Sequence, residues 1–486
     1  MTSGTTDVTP MLIGGERRTA SDGGVIDAIN PATGRLITRF PAGTAADVDD
    51  AVAAARAAFP AWSHAEPGER AAALNALADA VDAHAHELAL LDVTDNGSPI
   101  REMGKDAAVA SAQLRYFAGL VLQLRGTTVP SGPGQLNYSL RQPYGVVGRI
   151  IPFNHPLMFA ASKIAAPLAA GNTVVVKPSE HTSLSALRLA DLIGETLPPG
   201  VVNIVTGHGK VAGDALVAHP DVRRLAFIGA AETGRAIIGR AAEVNVKHVT
   251  LELGGKNPLV VFPDADLDQA VDGALRGMNF TWQGQSCGST SRVLVHASVH
   301  DEFVDRLTAR VAALRSGPPE DPASDTGAIV NSLQMDKVQR YIRIGQEGGA
   351  RLAVGGERLV QGVFGDGLFL RPAVFTGVDP GSRLAQEEIF GPVMATMPFR
   401  DYDDALAIAN GIRYGLTASV FTSDLGLAHR FAAEVEAGYV WVNEVSRHVP
   451  GTAFGGFKDS GLGREEDIAE LESYTQTKSV HVRYDG

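Results

Sequence analysis

The sequence predicts an α/β chain made of two successive sheet-forming units and a small β arm. Three observations carry that expectation. At 486 residues the chain is too long for a single core. From about residue 143, short β-branched runs alternate with helical segments, as in βαβ units that build a parallel sheet. Segments 124–142 and 472–486 alternate polar and apolar residues outside both series, as strands with exposed edges do.

In order along the chain, residues 1–10 (MTSGTTDVTP) lack a basic stretch and an apolar stretch, so no signal peptide is expected. Residues 45–59 place Val48, Ala51, Val52, Ala55 and Phe59 at helical spacing behind Thr44 as N-cap. Residues 67–95 continue as Ala/Leu-rich helix. Strands are then expected at 173–176, 201–205, 225–228 and 249–253, with helices at 182–196, 211–218 and 233–242 between them. Their turns carry Gly207, Gly209, Gly213, Gly229, Gly234, Gly254 and Gly255. After Pro258 a second α/β series runs to about 455, with strands at 291–295, 418–421 and 439–442.

Composition narrows the function classes. A formal charge of −13 offers no basic patch for nucleic acid. No apolar stretch approaches the ~20 residues that span a bilayer. A single cysteine fits a reducing compartment. The expectation is a cytoplasmic protein with neither nucleic-acid nor membrane partner.

Four segments carry chemistry. Cys287 lies in Gly284-Gln285-Ser286-Cys287-Gly288-Ser289. A lone thiol forms no internal disulfide and no Cys-rich metal site, so it is a packing residue, an incidental thiol or a nucleophile. Its neighbours describe a tight polar turn rather than a core strand. Glu252, between Leu251 and Leu253, is either an outward-facing strand residue or a carboxylate whose apolar setting raises its pKa towards that of a general base. Asn154, in Pro152-Phe153-Asn154-His155-Pro156, either belongs to a simple loop or presents an amide N–H to a developing oxyanion. No His/Cys/carboxylate cluster has ligand spacing, so no metal is expected, at His155 or elsewhere.

The fourth is a set of turns. Gly207-His208-Gly209-Lys210-Val211-Ala212-Gly213 is one residue longer than G-x-G-x-x-G, and reads as a phosphate turn or a plain one. Phe227 to Gly234 turns from a strand directly into a helix, whose N-terminus suits a pyrophosphate. Lys177-Pro178-Ser179-Glu180 is a solvated charge pair or, if a nucleotide crosses the sheet's carboxyl edge, a ribose site where Glu180 repels a 2′-phosphate.

Together these segments resemble the NAD(P)-dependent aldehyde dehydrogenase superfamily over nearly the whole chain. The matching motifs, in family order, are Asn-Pro-x-Thr-Gly (30–34), Pro-x-Asn-x-Pro (152–156), Lys-Pro-Ser-Glu (177–180) and the glycine turn (207–213). They continue with Glu-Leu-Gly-Gly-Lys (252–256), Gly-Gln-x-Cys (284–287) and Glu-Glu-Ile-Phe-Gly-Pro (387–392). Tyr-Gly-Leu-Thr-Ala (414–418) and Phe-Gly-Gly-Phe-Lys-x-Ser-Gly-x-Gly-Arg-Glu (454–465) complete the set.

The resemblance implies an aldehyde dehydrogenase-like fold. A Rossmann-like NAD-binding domain would comprise 1–123 and 143–253, and a thiol-bearing catalytic α/β domain 254–455. Segments 124–142 and 456–486 would form a β oligomerisation arm and C-terminal tail, giving a homodimer or homotetramer. The implied reaction is oxidation of an aldehyde to the carboxylic acid with NAD, NADP being the less favoured cofactor. Cys287 would attack the carbonyl, Asn154 and the Cys287 N–H would hold the oxyanion, and Glu252 would activate the water that releases the thioester. The family places Lys177, Ser179 and Glu180 by the adenosine ribose, and Glu388 and Phe390 by the nicotinamide ribose. Ile151, Pro152, Phe153 and Leu253 would also touch the cofactor, with Gly207, Gly209 and Gly213 in one turn and Phe227, Gly229, Ala230 and Thr233 in the next. Lys163 and Glu465 match positions that pass protons from the base.

A substrate tunnel is implied at His155, Phe159, Ser162, Thr281, Trp282, Ser286, Gly288 and the loop 444–450. Phe159 and Trp282 suit an apolar or aromatic aldehyde; Arg447 and His448 either meet an anionic end or are solvated at the rim. The sequence departs from the family at Phe153, usually Trp; at Ala230, which lacks the usual hydroxyl; and at Ala453, usually Pro. Two alternatives stand beside hydrolysis: transfer of the acyl group to CoA, whose enzymes typically lack the glutamate found here at 252, and a catalytically inactive binding protein on the same scaffold.

Overall fold

The computed structural model describes residues 8–484. The signal-peptide expectation at 1–10 and the end of segment 472–486 therefore fall wholly or partly outside the described residues. An eight-stranded sheet has the order Glu16–Arg18, Met11–Ile13, Val202–Ile204, Thr173–Lys177, Val146–Ile150, Val222–Gly229, His248–Leu253, Gly461–Leu462. Its five central strands are parallel. The chain winds outward from Val146–Ile150 in one direction, then crosses to the other side at Val222–Gly229. That reversal is a topological switch point, which opens a crevice at the carboxyl ends of the strands.

Alternation along the strands buries both faces. Val147, Val174, Val176 and Ile204 pack with Leu74, Leu88, Leu114 and Leu187 from helices on one side. Val146, Val175, Leu225 and Leu253 pack on the other with Val48, Val52 and Ile237. The second sheet has the order Arg351–Val354, Ala373–Thr376, Val393–Phe399, Arg292–His296, Pro258–Val261, Thr417–Phe421, Tyr439–Val442. It is parallel except at its first, antiparallel edge, and it too is covered on both faces. The turn 254–257 links the two sheets.

Local signals account for several boundaries. Asp47 N donates to Thr44 Oγ1 at 3.3 Å, and Asp47 Oδ2 accepts from Thr44 N at 2.8 Å, a reciprocal cap. The helix Ala45–His64 outruns its expected end because buried Trp62, whose Nε1 donates to Leu168 O at 3.2 Å, anchors the last turn. The expected helix 67–95 divides at His84 into Pro67–Ala83 and Ala85–Asn96. The third region is an antiparallel sheet in which Thr475–Arg483 pairs residue for residue with Gln135–Pro143, itself paired with Thr128–Val129. Gly461–Leu462, expected with the arm and tail, instead hydrogen-bonds to Leu251 and Glu252 in the eight-stranded sheet. Among the described residues no helix is long and apolar enough to cross a membrane.

Candidate functional site

A cleft of about 850 Å³ lies where the carboxyl ends of the central strands meet the second unit. The residues expected at a cofactor mostly line it: Ile151, Pro152, Phe153, Lys177, Ser179, Glu180, Gly209, Gly213, Phe227, Gly229, Ala230, Thr233, Leu253, Glu388 and Phe390. So do Asn154, Glu252 and Cys287. Segments far apart in sequence thus converge because the central strands end at one edge and turns of the second unit face it.

Gly207 does not line the cleft. It has φ +140, and a Cβ there would sit 2.7 Å from Gly43 O and 2.9 Å from the Ala212 Cβ. The glycine is needed for a close backbone approach rather than for a ligand.

Glu180 is fixed by its surroundings. Oε2 accepts from Lys177 Nζ at 3.0 Å and Oε1 from Gly209 N at 3.2 Å. Burial alone would raise its pKa, but the Lys177 ammonium together with hydrogen bonds from Lys177 and from backbone N–H groups outweighs it and holds the carboxyl at about 2. The helix Ala231–Val244 begins at Ala230, whose side chain caps nothing, so its first-turn N–H groups lack a side-chain acceptor from that residue.

Glu252 is the opposite case. It is 6 % exposed, and neither carboxylate oxygen has a hydrogen-bond partner among the described residues. Burial pushes its pKa well above the usual carboxylate range, and the Glu465 charge adds to the rise. Glu465 is itself held low, at about 2, because Arg149 and Lys163 overcome its burial. Arg149 Nη2 donates to it at 2.5 Å and Lys163 Nζ at 2.8 Å.

Cys287 is half-buried, in a segment where only 281–282 and 286–288 reach the surface. Two backbone features shape the turn: left-handed Gln283 at φ 53 and Gly284 at φ 64. From the inter-sheet turn, Asn257 Nδ2 donates to Cys287 O at 2.7 Å and to Ser289 O at 3.0 Å. Burial, then the Glu388 and Glu252 charges, push the thiol up to about 12. Glu388 lies against Gly254, where a Cβ would come 2.0 Å from Oε2. Asn154 is 3 % exposed, and its Oδ1 has no partner among the described residues.

The residues expected at a substrate tunnel lie outside the lining of this cleft. The His155 ring sits 5.7 Å from that of Phe159 and 5.3 Å from that of Trp282, and Asp106 Oδ2 holds its Nδ1 at 2.8 Å. Burial lowers the His155 pKa, but the surrounding carboxylates, Asp106 foremost with Asp92 and Glu102, outweigh it and the net shift is upward. Thr281, Ser286 and Gly288 are half-buried beside the thiol turn. Ser162 is 4 % exposed. The Arg447 carbonyl accepts from Trp441 Nε1 at 2.8 Å, and His448 Nδ1 is already engaged by Glu466 at 3.0 Å.

Several lining residues escaped the sequence reading. Gln334 and Lys337 come from the helix Ser332–Glu347, which carries no motif. Gln334 Nε2 donates to Ile389 O at 2.9 Å and Phe390 O at 2.7 Å, fastening Phe390 in its left-handed conformation at φ 59. His181, Lys210 and Arg240 also line the cleft; their proximity to the glycine turns and to Glu180 was the available signal. No group of His, Cys, Asp or Glu among the described residues suits a metal.

A cleft at the switch point of a doubly wound parallel sheet is where α/β enzymes bind their ligands. Comparison with known proteins narrows that class. A family model described as "Aldehyde dehydrogenase family" matches residues 18–480. The chain is 44% identical over 473 residues to aldehyde dehydrogenase tropH of Talaromyces stipitatus, covering 95% of this chain and 90% of that one. Among solved structures it is similar to PnpE in complex with nicotinamide adenine dinucleotide, with TM-score 0.96, 42% identity and 98% of each chain covered. It is also similar to betaine aldehyde dehydrogenase of Staphylococcus aureus in complex with NAD+, with TM-score 0.96, 36% identity, and 98% of this chain and 95% of that one covered. The chain belongs to the aldehyde dehydrogenase family.

Proposed function

We propose that this enzyme oxidises an aldehyde to the carboxylic acid with NAD, through an acyl group carried on Cys287 and released by hydrolysis. The observation that carries this reading is the convergence of a half-buried thiol, a buried unpartnered carboxylate and a buried amide on one cleft.

The residues present fit NAD. Glu180, fixed by Lys177 and Gly209, suits a ribose diol and disfavours a 2′-phosphate. The uncapped helix start at Ala230 suits a pyrophosphate, and Glu388 and Phe390 suit the second ribose. NAD, when bound, supplies the hydride acceptor.

Attack of Cys287 Sγ on the aldehyde carbon forms a C–S bond and places negative charge on the carbonyl oxygen. The Asn154 amide and the Cys287 N–H stabilise that charge. The thiol's proton passes to solvent at the open cleft as the bond forms, which leaves Glu252 free for the later step. Loss of hydride from the thiohemiacetal carbon leaves a thioester on Cys287. Glu252 then takes a proton from water, the hydroxide displaces the thiolate, and the carboxylic acid departs. Lys163 and Glu465, whose charges act on Glu252, carry its proton away.

Phe159 and Trp282 beside His155 support an apolar or aromatic substrate. The three-stranded arm exposes Val129, Leu136 and Leu140, which supports a homodimer or homotetramer. The test is an aldehyde panel followed by NADH absorbance, with NAD and NADP in parallel and with and without CoA. Turnover with NAD and no CoA is expected; a requirement for CoA would overturn the hydrolytic reading.

A further inference from the structure

The loop that carries Asn154 is fastened on both sides by one helical hairpin. Asn96, at the end of Ala85–Asn96, donates from Nδ2 to Phe153 O at 2.6 Å. Asp106, in Ile100–Leu120, holds the His155 ring at 2.8 Å, and Asp92 Oδ2 accepts from Leu157 N at 3.0 Å. Asn154 lies between these points with its own Oδ1 unpartnered among the described residues. A clamp on both flanks of an unsatisfied side chain preorganises that side chain.

The same helix end also reaches the thiol. Ser98 N donates to Asn96 Oδ1 at 3.2 Å, which leaves the single Ser98 Oγ–H to donate to Gln283 Oε1 at 3.2 Å, with Asn96 Oδ1 also within reach of Oγ. With its Oδ1 accepting from Ser98, the Asn96 amide can only turn Nδ2 towards Phe153. Gln283 stands four residues before Cys287, in the left-handed backbone that starts the thiol turn, and its Nε2 donates to Thr281 O at 3.3 Å. Gly97 O accepts from Ala328 N at 2.9 Å, a second tie to the thiol-bearing unit. Asn96, Ser98 and Gln283 are at most 2 % exposed. Such a buried polar chain is stabilising only when every member is satisfied, and it then fixes geometry more sharply than apolar packing would.

We infer that the buried Asn96–Ser98–Gln283 bridge is a positioning device that sets the separation between the Asn154 amide and the Cys287 thiol, and with it the rate of thiol attack. The inference rests on the proposed function, because it assigns the bridge a role only if those two groups act on one carbonyl. None of the three residues touches substrate; each acts through the loop it holds.

The test is single-turnover NADH formation with enzyme in excess over aldehyde, which reads the steps up to hydride transfer separately from hydrolysis. Ser98→Ala removes the shared hydroxyl. A misplacement of 1 Å costs about 10²-fold in rate, so partial loosening should lower the single-turnover rate constant about tenfold. Amplitude and NAD affinity should stay within about twofold of the parent. A merely structural role would lower the amplitude, as misfolded enzyme does, and leave the rate constant unchanged; that result would overturn the inference. Gln283→Met keeps side-chain length, removes the acceptor and answers the same question should Ser98→Ala fail to fold. Absence of NADH from the parent enzyme would sink the proposed function itself, whereas a normal parent with an unaltered variant would sink the bridge alone.

Discussion

The cleft is built on opposite principles around Glu180 and around Glu252. Both oxygens of Glu180 are engaged, by Lys177 and by the Gly209 N–H, and its carboxyl is held at about 2. Neither oxygen of Glu252 is engaged, the Asn154 Oδ1 is unpartnered among the described residues, and the Cys287 thiol is pushed up to about 12. A surface that only binds gains from groups already fixed in place. A surface that reacts must keep capacity for charge that develops later, and unsatisfied buried groups persist where function uses them. The difference fits the proposed function, with recognition in the first region and chemistry in the second.

That contrast breaks most plainly at Cys287. Cys287→Ala should abolish NADH formation with every aldehyde, a loss of at least about 10⁴-fold, while NAD binding measured by fluorescence stays near the parent value. Residual turnover would remove the covalent step from the scheme. Glu252→Gln should give a burst of NADH followed by turnover slower by about 10²- to 10⁴-fold, because acylation proceeds and deacylation lacks its base. A linear trace at the parent rate would show that Glu252 is not that base. Asn154→Ala should lower kcat about 10²- to 10³-fold with little change in the NAD dissociation constant. An equal loss in both would place Asn154 with the binding region instead.

The pH profile sharpens the same contrast. Burial, then the Glu465 charge, raise the Glu252 pKa, and the Lys163 ammonium partly lowers it. The base exists only above that pKa, so hydrolytic turnover should rise with pH through it. Lys163→Met removes the cation, which moves the pKa and the rising limb further up. Below the limb, each pH unit of displacement costs about tenfold in rate. A limb that stayed in place, or moved down, would detach Lys163 from the base.

The two regions were also unequally legible in the sequence. Cys287, Glu252 and Asn154 each sit in a short segment whose residue types conflict with ordinary packing: a glycine-rich turn around a thiol, an acid between leucines, an amide between prolines. Such conflicts are local and can be read one residue at a time. The strand–helix alternation after residue 143 was visible for the same reason, since periodicity is local. The contribution of Gln334 and Lys337 was not, because the helix Ser332–Glu347 reaches the cleft through tertiary packing alone. Gly207 shows the limit from the other side: its sequence reveals a need for glycine, but only the fold reveals that Gly43 is what it must approach. The edge strand Glu16–Arg18 is polar because it is largely exposed, and so gave no strand pattern. His448, which the sequence left between an anionic substrate end and a solvated rim, is paired with Glu466 by the fold.

The smallest expected effect lies in the binding region, at a helix start that its N-cap residue leaves without a side-chain cap. Ala230 occupies the N-cap of Ala231–Val244 and makes no side-chain cap. Ala230→Ser would add a hydroxyl able to accept from a first-turn N–H and donate to a phosphate oxygen at once. Capping alone is worth about 0.5–2 kcal/mol, so the melting temperature should rise by about a degree or two in a chain of this size. A hydrogen bond to a charged phosphate is worth about 1.5–3 kcal/mol, and after competition with the cap NAD should bind about five- to tenfold more tightly, with kcat unchanged. The two readouts separate the two roles. A higher melting temperature with unaltered NAD affinity would mean that this helix start is an ordinary one and that the pyrophosphate sits elsewhere in the cleft.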